Sequence, residues 1–316
     1  MEGAGGPVVD KPKDFDVIIV GGGLSGLMRA DMLADDKSHN RRIAIVEPNP
    51  ESLTAKTFAS WRHKNSKPHR YSDCIANRWD RFRIISNDHQ TTIRDFEDYY
   101  YEHIPGQRLF DRIRQRIDKD SRFVWVKDSD CEITESKSLF GRKKITHVKI
   151  ASGQILSTRH VLNSAVIKKP GVLQYFLGFE LETSVDYFDP KMVDLMDFRL
   201  PQASEVRFVY ILPFDARRAL VEFTVFASDM LSQNECETIL RDYIAKQLTL
   251  PDYKVIKVES GVIPMALDPE PKFPPSHFDS AIESIGSAAG MVKASTGYSF
   301  QRNLKALATT KPASYR

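Results

Sequence analysis

At 316 residues, with 41% hydrophobic and 28% charged side chains, the chain is long enough for about two domains and apolar enough for a sizeable core, which excludes a disordered protein. A formal net charge of +3 gives no reason to expect nucleic acid as a partner, and three widely spaced cysteines (Cys74, Cys131, Cys236) exclude a disulfide framework and a zinc site. No run approaches the ~18 apolar residues of a membrane span and the N-terminus lacks an apolar leader, so the expected location is cytoplasmic, with any membrane contact peripheral to the inner face.

In chain order, a flexible start (1–13) gives way to an apolar strand, Val17 to Val20, then a glycine cluster, a helical pattern, and a second short strand in RRIAIVEP (41–48). This βαβ unit predicts a parallel sheet. From Leu53 to Tyr101 the pattern is polar and aromatic without clean periods, and predicts loops and short helices, with TTIRDF (91–96) as a strand edge. Leu109, Ile113 and Ile117 predict a helix over 106–119. Strands are expected at 122–126, 145–150 and 160–164, and the basic run GRKK (141–144) reads as a solvated turn, the alternative being contact with anionic lipid or phosphate. The segment 173–226 is β-rich, followed by a helix near 235–247 and a strand near 253–259. The last stretch, from Glu283 on, repeats the strand, glycine loop and helix of the start. The fold class is therefore α/β: a Rossmann-like nucleotide-binding domain (14–60, 100–170, 260–316) with an inserted, mainly antiparallel β-sheet domain (61–99, 171–259).

Gly21, Gly23 and Gly26 form G-x-G-x-x-G between the first strand and its helix. Gly21 allows the tight turn, Gly23 lets backbone approach a pyrophosphate, and Gly26 lets helix pack on strand. Glu47, about 20 residues further on, ends the second strand where a carboxylate can accept from an adenosine ribose. By analogy with flavoproteins, the N-terminal position of the motif favours FAD over NAD.

YFLGFELET (175–183), MDFRLPQ (196–202), FVYILPFDARRALVEFTVF (208–226), GVIPM (261–265) and IGSAAGMVKASTGYSF (285–300) occur in that order after the N-terminal GGGLSG. Together they closely resemble the FAD-dependent lycopene cyclase family, in particular the bacterial lycopene β-cyclases, over essentially the whole chain. KTFASW (56–61) resembles the family's stretch beyond the second strand, with Ala59 and Ser60 as local variations. The resemblance implies a p-hydroxybenzoate hydroxylase-like flavoprotein that performs no net oxidation. It would cyclise the ψ ends of lycopene to β-ionone rings with reduced FAD, NAD(P)H serving only to keep the flavin reduced. It also implies a lipophilic substrate delivered from a membrane surface.

Strand alternation places Leu220, Glu222, Thr224 and Phe226 on one face and Val221, Phe223 and Val225 on the other. An acid in an apolar setting stays protonated and can donate a proton to a terminal C=C, and the resemblance assigns that catalytic role to Glu222. The alternative is a solvent-facing carboxylate, or one paired with Arg217 or Arg218. Glu222 matches the first acid of the family's adjacent pair, while Phe223 stands where a second often occurs. The resemblance also places Gly286 and Ser287 near the ribityl chain and pyrophosphate, with a neutral serine where many flavoproteins carry Asp. Thr296, Gly297 and Tyr298 are expected to open the last helix, whose N–H groups would face a reduced isoalloxazine. The tyrosines of EDYYYEHIPGQRLF (97–110) either line a polyene tunnel or pack in a core. No histidine has metal-ligand spacing, and no metal is expected.

Two other readings remain at this level: an FAD-dependent oxidoreductase or monooxygenase on another apolar substrate, and a flavin-binding protein without turnover. Family members usually continue beyond the last motif, so the stop at Arg316 leads to the expectation of a shortened C-terminus.

Overall fold

The structure is a computed structural model that describes residues 13–37, 40–129, 132–136, 145–165, 171–229, 231–265 and 281–310; Cys131 and the basic run at 141–144 lie outside them. A two-residue strand β1 (Lys13–Asp14) leads into β2 (Val17–Val20), and the glycine turn then opens α1 (Leu24–Leu33). After β3 (Ile43–Val46) come β4 (Thr57–His63), β5 (Asn77–Trp79), β6 (Arg81–Ile85), β7 (Thr91–Asp95) and β8 (Tyr99–Pro105), then α2 (Gly106–Ile117). Short strands follow: β9 (Phe123–Val126), β10 (Glu132–Glu135), β11 (Thr146–Lys149), β12 (Ile155–Thr158) and β13 (His160–Asn163). Longer strands come next, β14 (Val172–Thr183), β15 (Met192–Asp197), β16 (Val206–Pro213) and β17 (Arg218–Ala227). The last elements are α3 (Gln233–Tyr243), β18 (Tyr253–Met265), β19 (Ile282–Ser284) and α4 (Phe300–Thr309).

β2 is buried at all four positions because it is covered on both sides. It sits inside a parallel sheet of order β19-β13-β2-β3-β9. Val17 and Ile19 pack with α1 and α2, through Leu27, Leu109 and Ile113. Ile18 and Val20 pack against Val148 and Leu156 of a second sheet, β1-β12-β11-β10.

The seven-stranded sheet has the order β18-β14-β17-β16-β15-β6-β7 and is antiparallel except where β15 runs parallel to β6. β17 follows the alternation read from its sequence. Val221, Phe223 and Val225 point into a core closed by Leu240 and Tyr243 of α3, where burial of each contributes about 1.5–3 kcal/mol. Leu220 and Phe226 point to the opposite side, toward Trp79 and Tyr101 of the small sheet β4-β8-β5. α3 is nucleated by a capping box: the Ser232 hydroxyl accepts from the Glu235 N–H at 3.3 Å, and the Glu235 carboxylate accepts from the Ser232 N–H at 2.7 Å.

Three expectations need correction. The 53–101 segment is mostly strand, β4 to β8, rather than loops and short helices, and only the strand edge expected at TTIRDF is found, as β7 at the edge of the seven-stranded sheet. Its periodicity is masked because β7 is exposed at every position and β4 is half-buried at nearly all, so neither shows an apolar face. The helix expected at 235–247 is α-helical only to Tyr243 and finishes as a π-helical turn, Ile244–Leu248, stopped by Thr249 at φ 46°. β18 runs on to Met265, which puts Glu259 inside the strand instead of at its end.

Candidate active site

The glycine turn has the geometry its spacing requires. Gly21 stands at φ +95°, and a Cβ on Gly26 would lie 1.9 Å from the Gly21 carbonyl oxygen, so helix and turn touch at that point. A Cβ on Gly23 would meet nothing within 4 Å, which leaves its backbone open. Gly23 is also the N-cap of α1, with no side-chain cap and no acidic residue in the first turn, so the helix end keeps its positive character. Glu47 sits at the lip, where its Oε2 accepts from Gly22 N–H at 2.8 Å and its Oε1 from Asn49 N–H at 3.0 Å. Gly21, Gly23, Glu47 and Pro48 line one crevice of about 820 Å³. Open glycine backbone, an uncapped helix N-terminus and a carboxylate at the adjacent strand end fit the pyrophosphate and ribose of a dinucleotide.

The first turn of α1 also borders a second cavity, since Gly23 lines the first crevice and Leu24 the second. A Cβ on Gly286 would come 2.3 Å from Ser25 Oγ in the first turn of α1, and Ser25 donates to Asn303 Oδ1 of α4 at 2.7 Å. Leu24, Ser287, Thr296, Gly297, Tyr298 and Glu222 then line a cavity of about 310 Å³. The helix α4 starts at Phe300, so Thr296, Gly297 and Tyr298 form the turn before it rather than its first turn. The N–H groups of Thr296 and Gly297 already donate to the Lys293 carbonyl, at 3.0 and 2.8 Å, because Gly297 at φ +75° closes a tight loop. What this turn offers the cavity is the buried Thr296 Oγ1, which has no hydrogen-bond partner in the protein, and the Tyr298 phenol.

Glu222 enters the cavity from β17 opposite Tyr210 of β16. It is free of the arginines: Arg217 pairs with Asp186 at 2.6 Å and Arg218 with Glu180. Its Oε1 accepts from the Thr224 hydroxyl at 3.2 Å. Burial pushes its carboxyl well above the ordinary glutamic acid range, and the nearby Glu259 carboxylate pushes it in the same direction, against the Thr224 hydrogen bond and the Lys56 ammonium. Glu259, on β18, is 4% exposed, and burial raises its pKa as well.

Three phenols stand around the acid. Tyr101 of β8 and Tyr298 join hydroxyl to hydroxyl at 2.7 Å, and Tyr298 also bonds Tyr210. Burial holds all three in the neutral form. Sequence reading raised the 97–110 tyrosines only as a group, and it missed Tyr210, Gln174 and Glu259. Gln174 of β14 lines the cavity with a buried, unpartnered Oε1 that occupies the space a Gly297 side chain would need. Among the described residues no group of three His, Cys, Asp or Glu is placed to hold a metal ion.

The lycopene cyclase protein family model matches residues 16–313. The chain belongs to the lycopene cyclase family. A neoxanthin synthase from Solanum tuberosum is 25% identical over 308 residues, covering 92% of this chain and 58% of that protein. A lycopene beta-cyclase from Pantoea ananas is 22% identical over 298 residues, covering 90% and 71%. The chain thus spans little more than half the length of the first of these relatives. Among solved structures, a geranylgeranyl bacteriochlorophyll reductase-like protein from Thermoplasma acidophilum superposes with a TM-score of 0.67 at 16% identity, over 93% of this chain and 76% of that one. The myxobacterial FAD-dependent halogenase CndH superposes at 0.55 with 12% identity, over 94% and 73%. The lycopene cyclase family member described here therefore has the fold of the FAD-dependent, p-hydroxybenzoate hydroxylase-like enzymes.

Proposed function

We propose that the protein is a lycopene β-cyclase that closes the ψ end groups of lycopene by acid catalysis, with Glu222 as the proton donor. The observation that carries this reading is a carboxyl held neutral by burial in a cavity whose other walls are mostly apolar and phenolic. A neutral carboxyl inside an apolar pocket can protonate an alkene, which water-exposed carboxylates cannot. Its proton would go to the terminal C=C, the adjacent double bond would close the ring, and loss of a ring proton would complete an isomerisation with no change in oxidation state. The rings of Tyr101, Tyr210 and Tyr298 line the cavity and would give the developing positive charge an electron-rich wall, and their hydroxyls, tied to one another, would be kept from capturing it.

Gly21, Gly23 and Glu47 at the first crevice and Gly286 and Ser287 beside the cavity would hold FAD, with Thr296, Gly297 and Tyr298 at its far end. When bound in its reduced form, kept so by NAD(P)H, FAD supplies an electron-rich ring system that favours a cationic transition state. The cavity volume suits one end of a long polyene at a time. Ile256, Val258 and Val262 are exposed along the sheet-edge strand β18, and Val262 also borders the cavity. That apolar strip supports delivery of a lipophilic substrate from a membrane surface; no helix among the described residues is long and apolar enough to cross one.

The test is expression in lycopene-accumulating cells, with pigments separated by chromatography and flavin content measured on the purified protein. β-Ring products are expected. Lycopene left unchanged beside a flavin-loaded protein would refute the reading, and NADPH consumption stoichiometric with product would point to oxidative chemistry instead.

A further inference from the structure

β17, β14 and β18 lie side by side, and their register puts Glu222, Gly178 and Glu259 in one cross-strand row. Residues two strands apart stand about 10 Å from each other along the row, and an intervening side chain normally keeps them apart. Here the middle residue has none. A Cβ on Gly178 would lie 2.8 Å from Leu220 Cδ1, 3.2 Å from Glu259 Cγ and 3.3 Å from Glu222 Cβ, so the Glu259 side chain reaches into the space that glycine leaves beside Glu222. Glu259 is almost fully buried, and its Oε1 has no hydrogen-bond partner in the protein. A buried carboxylate oxygen without a donor is costly, and two buried carboxylates this close cannot both stay ionised.

The groups facing the pair set its charge. Lys56 bonds the Ser260 carbonyl and lies 5.8 Å from the Phe176 ring, while Lys257 reaches the Thr54 carbonyl at 3.4 Å; both ammoniums, with the Thr57 hydroxyl, favour a negative charge on Glu259. On the Glu222 side stand Thr224 and the neutral phenols of Tyr210, Tyr298 and Tyr101, which supply no positive charge. The lysines favour a charge on Glu259, against its burial, and a charged Glu259 favours a proton on Glu222.

We propose that Glu222 and Glu259 hold one proton between them, with Gly178 as the gap that lets them meet and Glu259 as the positioning residue for the donor. The pair's role in turnover rests on the cyclase reading; its existence does not. In the step itself the Glu222 O–H bond breaks as its proton bonds to the terminal alkene carbon, whose π electrons form the new C–H bond. Both carboxylates are then ionised side by side. That repulsion favours return of a proton from the ring, whose C–H electrons become the ring double bond. The pair ends as it began, with one proton and nothing oxidised or reduced.

The experiment uses flavin-loaded protein and infrared difference spectra that follow the carbonyl band of a protonated carboxyl across a pH titration, alongside the pigment assay. Wild-type protein should show a band that persists well above pH 4.5 and loses the Glu222 component in Glu222→Gln, leaving only the other buried acids such as Glu259. Glu259→Gln, which is isosteric, should lower the midpoint of that band by about one pH unit or more, because a negative neighbour has been removed. The alkaline limb of its cyclisation profile should move by the same amount, with kcat falling and KM kept. Gly178→Ala should shift the midpoint the same way, with no further shift when added to Glu259→Gln. Glu259→Asp, too short to span the gap, serves the same purpose if Gly178→Ala does not fold. An unchanged midpoint in Glu259→Gln overturns the shared proton even if lycopene is cyclised. The expected shift in a protein that leaves lycopene unchanged keeps the pair and overturns the cyclase reading.

Discussion

In the glycine turn, Gly21, Gly23 and Gly26 act through contacts a few residues apart, and only Glu47 arrives from the next strand. In the acid cavity, Tyr101, Tyr210, Glu222 and Tyr298 come from separate elements of the chain, brought together by sheet register and by the turn before α4, with Glu259 behind Glu222 on β18. The turn works by exposing backbone, so its essential atoms are those that glycines leave uncovered. On the proposed reading the cavity works by hiding side chains, so its essential property is a pKa that no local sequence can set. Binding and chemistry should therefore be separable by mutation.

The sharpest separation is Glu222→Gln. We expect cyclisation to fall by about 10²–10⁴-fold, the usual worth of a general acid, while flavin content is unchanged. Pigment chromatography and the flavin absorbance of the purified protein read the two effects independently. The reverse break comes from the turn. Gly26→Ala drives a Cβ to 1.9 Å from a carbonyl oxygen and should destabilise the protein by at least about 1–3 kcal/mol and release flavin. Gly23→Ala meets no protein atom, so thermal stability should hold while FAD affinity drops about tenfold, a loss of about 1.4 kcal/mol measurable by fluorescence titration.

A subtler effect lies in the pH dependence of stability. Because the folded Glu222 carboxyl has its pKa raised well above 4.5, the folded chain holds a proton there that the unfolded chain gives up. Wild-type stability should accordingly fall as pH rises from about 4.5 until Glu222 itself ionises in the folded state. Glu222→Gln escapes this, so its melting temperature should gain on wild type as pH rises through that window and converge with it in acid. A melting-temperature difference that stays flat with pH would mean that the carboxyl is ionised in the folded protein. The smallest change is Tyr298→Phe, which removes the hydroxyl between Tyr101 and Tyr210 and should cost about 0.5–1.5 kcal/mol in denaturant unfolding, with cyclisation reduced less than in Glu222→Gln.

Much of this was legible in the chain. The glycine spacing located the turn, period-two alternation gave the two faces of β17, and Leu109, Ile113 and Ile117 marked the buried face of α2. Between Thr57 and Pro105 only the edge strand at TTIRDF was legible. β7 has no buried face, and β4 is half-buried along most of its length, so hydrophobic periodicity carries no signal there. Glu259 was passed over as the end of a short strand, since nothing local marks it as anything but a surface residue among lysines. Gly178 gave no signal either: in sequence it is one glycine in a strand, and its use depends on what stands on either side.

By itself the sequence determined the family, through motifs in a definite order along the chain, and the glycine turn and the direction in which Glu222 points, through spacing within a few residues. The tertiary structure decided that the second acid of the site comes from β18 and not from the position beside Glu222. On a strand, adjacent residues face opposite sides, so Phe223 belongs to the core beneath α3, while Glu259 reaches Glu222 across a strand that has a glycine at the crossing point. Only the pairing register of three strands far apart in the chain could bring those two carboxyls together.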